Sequence, residues 1–136
     1  EPIGVVAALT AWNSPLLFVA WKCAPALAAG CTVGGRSRRN SHPCPRWNYA
    51  QLTREAGFPD GVFNVVTGLG EEAGAALVDH PDVAKITFTG SDATGARIYA
   101  QAAKSLKRVS LELGGKSPNI VFADADLEAA LGAARR

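Results

Sequence analysis

Apolar residues run unbroken from Ile3 to Leu9 apart from Gly4, and several are β-branched, which predicts a buried strand. Trp12-Asn-Ser-Pro15 breaks the run. From Leu16 to Ala29 the apolar positions Leu17, Trp21, Ala24 and Leu27/Ala28 recur at helical spacing. Pro25 should kink or loosen that helix, and Gly30 should end it. Thr32-Val33 opens a second strand, and Ala50 to Ala56 reads as a helix stopped by Gly57-Phe-Pro59. A strand at Val62–Val66 leads to a helix at Gly70–Val78, and a strand at Ala84–Phe88 to a helix at Ser91–Lys104, with Ser91 as N-cap. Val109–Leu113 and Asn119–Phe122 predict two more strands, and Asp126–Ala134 a last helix. Strands alternating with helices imply an α/β fold on a largely parallel sheet, with no repeat and no linker.

Composition narrows the class. A chain of 136 residues is about one domain, and 48% hydrophobic against 19% charged residues is a globular balance. A net charge of +2 is too small to suggest nucleic acid as a partner. The longest apolar run after the first strand, Pro15–Ala20, is far short of a membrane span, and Glu1-Pro2 offers no basic leader. Methionine is absent, which a piece of a larger protein explains best. Cys23, Cys31 and Cys44 are odd in number and lack CxxC spacing, so neither a disulfide framework nor a zinc site is expected. Cys23 reads as a small buried hydrophobe, and the expected compartment is the reducing cytoplasm.

Two glycine-rich turns stand between a strand and a helix: Val66-Thr-Gly68-Leu-Gly70-Glu-Glu-Ala73, and Phe88-Thr-Gly90-Ser91 with Gly95 beyond it. Such a junction can hold a diphosphate, because glycine lets the backbone approach and the helix start offers free N–H donors. Each turn taken singly is equally well read as a tight strand-to-helix connection. A dinucleotide reductase using Gly68 would want an acidic residue about 20 positions on. Phe88–Ser91 lies there and supplies none. Asn13 taken alone is a common residue for a strand-end turn. Glu112 stands between Leu111 and Leu113, and its apolar flanks suggest partial burial, which raises a carboxyl pKa and suits a general base. A solvated edge carboxylate is the plainer alternative, and Lys116 could oppose the shift.

Ser110-Leu-Glu-Leu-Gly-Gly-Lys-Ser-Pro-Asn119 resembles the glutamate signature of the aldehyde dehydrogenase superfamily. Thr10-Ala-Trp12-Asn13-Ser-Pro15 is similar to that family's Pro-Trp-Asn-x-Pro element, with Ala11 in place of the usual proline. The resemblance implies a Rossmann-like doubly wound sheet, NAD or NADP as cofactor, and oxidation of a small-molecule aldehyde to its acid. It gives Glu112 the role of the base that activates water, and Asn13 that of donor to the substrate oxygen. It assigns Gly68, Gly90, Ser91, Leu113 and Trp12 to the cofactor, with the backbone of Leu113 facing the nicotinamide amide. Lys22 matches a family lysine read as supporting rather than catalytic. Homo-oligomers are expected of full-length members. The family's catalytic cysteine lies farther downstream of the glutamate than the 24 residues that follow Glu112, so residues 1–136 are expected to form part of the NAD(P)-binding domain and not to turn over alone. A non-catalytic fragment or pseudoenzyme is the alternative reading.

The match lapses at residues 34–49. Gly34, Gly35 and Arg36 interrupt what should be a buried strand ending in Lys-Pro-Ser-Glu, the segment that holds the adenosine ribose in the family. A reading-frame slip accounts for the window: a shifted frame can spell Lys-Pro-Ser-Glu-Gln-Ser-Pro-Val-Ser-Ala-Leu-Glu-Leu, ending where the match resumes at Ala50. On that reading the ribose clamp is missing, Arg36 does not inherit the lysine's role, and cofactor affinity is weak. Without the window's four arginines the net charge would be −2, yet no aromatic stacking pattern accompanies them to suggest nucleic acid.

Overall fold

The structure, a computed structural model, describes residues 1–37 and 45–134. Its elements in chain order are β1 (Val5–Leu9), α1 (Pro15–Ala28), β2 (Thr32–Ser37), α2 (Pro45–Glu55), β3 (Phe63–Thr67), a π turn (Gly70–Gly74) running into α3 (Ala75–Asp79), β4 (Val83–Thr89), α4 (Asp92–Ala103), β5 (Arg108–Glu112) and α5 (Leu127–Ala134). The five strands form one sheet in the order β3-β2-β1-β4-β5, parallel throughout. The chain winds outward from β1 to β3, then crosses to β4 on the other side of β1. That reversal is the switch point of a doubly wound sheet, and ligands of such sheets bind outside the carboxyl ends of the strands.

Helices cover both faces. Ala8, Val19, Cys23, Val33 and Phe63 form the core under α1. Ala7, Leu9, Val78, Val83, Ile86, Phe88, Ile98 and Ala102 form the core under α3 and α4. β1 is central and contributes to both, which explains its unbroken apolar run. Cys23 is buried, as its apolar setting predicts, and Cys31 is buried too; Cys44 lies outside the described residues.

The helix ends follow from local chemistry. Gly30, at φ +77°, closes α1 with paired bonds, Cys31 N–H to Ala26 O and Gly30 N–H to Leu27 O. Gly57 closes α2 in the same way. Ser91 caps α4, its Oγ accepting from the Thr94 N–H at 3.3 Å. Asp126 Oδ1 accepts from the N–H groups of Glu128 and Ala129 at the start of α5. α1 runs through Pro25 without a break.

Three expectations are corrected. Asn119–Phe122 is not a strand: Ile120 and Phe122 are about 70% exposed and the segment pairs with nothing in the sheet. Apolar residues make strand possible, but a strand needs a neighbour's backbone, and β5 ends the sheet among the described residues. Gly34, Gly35 and Arg36 do not interrupt β2, which pairs with β1 and β3 through and beyond them. The ladder uses main-chain groups that glycine supplies as well as any residue, and Leu77 packs over the space at Gly34. The helix expected from Gly70 begins as a π turn, with Gly74 N–H donating to Leu69 O five residues back. Of the anomalous window, residues 38–44 lie outside the described residues.

Candidate active site at the carboxyl edge of the sheet

Parallel register brings the functional segments to one edge. Leu9 stands level with Phe88, and Thr89 with Glu112. The Trp12–Asn13 segment, the Gly90–Ser91 turn and Glu112–Leu113 therefore leave the carboxyl ends of three adjacent strands, β1, β4 and β5. Gly68 leaves β3, on the far side of the switch point. Trp12 and Asn13 are exposed.

Glu112 is exposed, contrary to the expectation drawn from its leucine neighbours. Successive strand residues face opposite sides of the sheet. Val109 and Leu111 pack under α4, while Ser110 and Glu112 face the α1 side. Flanking apolar residues in a strand thus report burial of the other face. β4 alternates likewise: Ile86 and Phe88 are core, whereas Lys85, Thr87 and Thr89 face the α1 side. Those polar positions line a trough of about 510 Å³ against Phe18, Trp21 and Lys22 of α1, with Ser110 and Glu112 on its β5 flank.

Lys22 is the buried cation of this trough, and its Nζ donates to Thr87 Oγ1 at 3.0 Å. Burial lowers its pKa below 10.5, while the charges of Glu112 and Cys23 pull the other way. Lys22 and Glu112 line the same trough. The hydroxyls of Thr10 and Thr89, each one residue past the level pair Leu9 and Phe88, are buried without a hydrogen-bond partner among the described residues.

The Gly90 turn is tied to the end of β5. Gly90 N–H donates to Glu112 O at 3.1 Å, and Gly114 N–H donates to Asp92 Oδ1 at 2.9 Å. A side chain on Gly90 would run into the Phe88 ring, and a Cβ on Gly95 would lie 2.5 Å from Leu113 Cδ2. The Phe88 ring is buried, so close approach requires glycine at position 90, whereas at position 95 the exposed Leu113 side chain would have to move. At Gly68 a Cβ would lie 2.7 Å from that of Ala73. Arg36, at the end of β2, reaches across this turn and donates to Gly68 O from Nε at 3.1 Å and Nη2 at 2.9 Å.

The structure thus gathers Asn13, Trp12, Gly90, Ser91, Glu112 and Leu113 at neighbouring strand ends and sets Gly68 apart with Arg36. Sequence reasoning missed Thr87 and Asp92. The first was legible as the middle member of the polar series Lys85-x-Thr87-x-Thr89. The second carried no signal beyond an acid in the first turn of a helix. Among the described residues there is no cluster of three or more potential metal ligands, and no helix is long and apolar enough to cross a membrane.

Comparison with known proteins places these features in context. The sequence model described as the aldehyde dehydrogenase family matches residues 1–136. A peroxisomal aminoaldehyde dehydrogenase 1 of Pisum sativum is 57% identical over 94% of this chain and 25% of its own length. A chloroplastic betaine aldehyde dehydrogenase of Beta vulgaris is 55% identical over the same shares. The structure of an NAD+ complex of aldehyde dehydrogenase from Bacillus cereus superposes with a TM-score of 0.90 at 51% identity, covering 97% of this chain and 27% of that one. The chain spans about a quarter of the length of the curated relatives it matches.

Proposed function

Since the chain belongs to the aldehyde dehydrogenase family, we propose that the protein built around it oxidises an aldehyde to a carboxylic acid, with NAD or NADP as hydride acceptor. The observation that carries this reading is the convergence of the Asn13, Gly90–Ser91 and Glu112–Leu113 segments on adjacent strand ends beside the switch point.

The residues fit a dinucleotide. The 12-residue α4 starts directly after the Gly90–Ser91 turn at the carboxyl edge of the sheet, and its first N–H groups suit a diphosphate. Leu113 would offer its carbonyl to the nicotinamide amide, with Trp12 two strands away beyond the end of β1 and Gly68 on the adenosine side. When bound, the cofactor supplies the hydride acceptor. Asn13 would donate its amide to the substrate oxygen, where a preorganised donor contributes about 3–4 kcal/mol to transition-state stabilisation. Glu112, exposed and lining the same trough as Lys22, would take the proton of the water that releases the acid. Lys22 holds Thr87 and supports the trough without touching the reacting atoms.

The nucleophile is expected from elsewhere in the protein. Cys31 precedes β2 at the amino edge of the sheet, opposite Glu112, and Cys23 is buried in the middle of α1. The names of the two plant relatives support aminoaldehydes or betaine aldehyde as the substrate class. Homo-oligomers are part of the same proposal. So is the cytoplasm, which fractionation must decide against the peroxisomal and chloroplastic labels of those relatives.

Pre-steady-state NADH formation tests the reading in the protein that carries this chain. Glu112→Gln should keep the first burst of NADH, because the base acts after hydride transfer, and should slow later turnovers by about 100-fold or more. Loss of the burst itself would remove Glu112 from the proposed role. Residues 1–136 alone should form no NADH.

A further inference from the structure

We propose that Asp92 is a positioning residue that aims the Leu113 carbonyl at the nicotinamide carboxamide; the inference rests on the cofactor reading above. Its geometric basis is the hydrogen bond from Gly114 N–H to Asp92 Oδ1, at 2.9 Å. That N–H belongs to the peptide unit joining Leu113 to Gly114. A trans peptide is planar, so its C=O points opposite to its N–H. No cis peptide is present among the described residues. Fixing the Gly114 N–H on a carboxylate at the start of α4 therefore fixes the Leu113 carbonyl, directed away from α4.

Three contacts make the arrangement stiff. One residue earlier, Gly90 N–H donates to Glu112 O at 3.1 Å, so both peptide units flanking Leu113 are held from the same β4–α4 turn. The Leu113 side chain is seated against Gly95 of α4. Both carboxylate oxygens of Asp92 lie over the Gly114 α-carbon: a Cβ there would be 3.4 Å from Oδ1 and 3.5 Å from Oδ2. The acceptor is charged, which strengthens the bond and polarises the peptide so that its carbonyl becomes a better acceptor. Ser91 separately supplies the helix cap, so Asp92 is not needed for that purpose.

Calorimetry on the full chain with three probes decides the matter: NAD+, NADH and ADP-ribose, the last lacking the nicotinamide. The readout is the affinity of each nicotinamide-bearing ligand relative to ADP-ribose, since removing a carboxylate near the diphosphate acts on all three alike. Asp92→Ala should lower the NAD+ ratio and the NADH ratio by about fivefold, the loss of one hydrogen bond of ordinary strength. Asp92→Asn, which keeps an oxygen acceptor, should recover most of both ratios. Unchanged ratios in Asp92→Ala would show a merely structural residue and overturn the proposal. A fall for NAD+ but not for NADH would mean that Asp92 acts on the ring charge, and would overturn it too. A parent chain that binds ADP-ribose but shows no added affinity for NADH sinks the inference alone. One that binds none of the three sinks the cofactor reading and the inference together.

Discussion

The Gly68 and Gly90 turns both carry the chain from a parallel strand into a helix, and in sequence either could cradle a diphosphate. They are built differently. The Gly90 turn opens onto a capped α-helix and is bonded to the strand that carries Glu112. The Gly68 turn opens onto a π turn, packs against Ala73, and has the Arg36 guanidinium drawn across its carbonyl. The two glycine turns therefore serve two ends: at Gly90 the turn ties the start of α4 to the end of β5, and at Gly68 it accommodates packing and a cation from β2. What separates them is the partner each backbone group finds, which spacing does not encode.

The largest effect should come from Gly90→Ala, whose new methyl meets the buried Phe88 ring. A loss of about 2–3 kcal/mol is expected from overpacking, read as a lowered urea midpoint. Gly68→Ala should cost less, about 1 kcal/mol, because the Ala73 Cβ, though unable to rotate aside, stands after an exposed turn, Leu69–Glu72, whose backbone can shift; Ala73→Gly in the same chain should restore part of it. If the order of the two losses is reversed, the contrast between the turns is wrong. Arg36→Ala should lower stability by about 1 kcal/mol through loss of its bonds to Gly68 O, with Arg36→Lys in between. An unchanged midpoint would mean that the guanidinium lies idle on the turn.

The smallest effect belongs to the strand feeding the Gly90 turn. Lys22 is held against Thr87 with its pKa lowered, chiefly by burial. The unfolded chain then binds this proton more tightly than the folded one. Between the folded pKa and 10.5 the folded state gains stability as pH rises, and the gain is lost as pH falls through the folded pKa. Lys22→Met should flatten that part of the profile in urea titrations at a series of pH values. A slope retained in the variant would assign it to another group.

Much of this was legible in the residues. Helices ending at Gly30 and Gly57, and one starting at Ser91, could be placed because each stop or cap is a local event involving a few neighbouring backbone groups. The largely parallel α/β sheet followed from the alternation of strands with helices, and its doubly wound order from the family resemblance. What escaped depended on partners distant in sequence. Ile120 to Phe122 has the residues of a strand but no backbone beside it. Glu112 has apolar neighbours that serve the opposite face. Gly34 and Gly35 break a local rule for strands, yet two flanking strands hold them in register. Asp92 gives no sign in sequence that it reaches Gly114, because that bond exists only once β4 and β5 are side by side.

Of the five strands described, β1 is the earliest in sequence and the middle one of the sheet. Val5 pairs with Thr32 on one side and with Val83 on the other. On the ribosome, then, the strand waits exposed along one edge while nearly eighty further residues are polymerised. Until β4 arrives, Leu9 and Ala7 have no second wall, and the segment carrying Asn13 has nothing level with it. Pairings so far apart in sequence form late and slowly. Within this sheet the edge that carries Asn13 is walled on both sides only when β4 pairs with β1, and a nascent-chain binder that shields an apolar strand would act at β1.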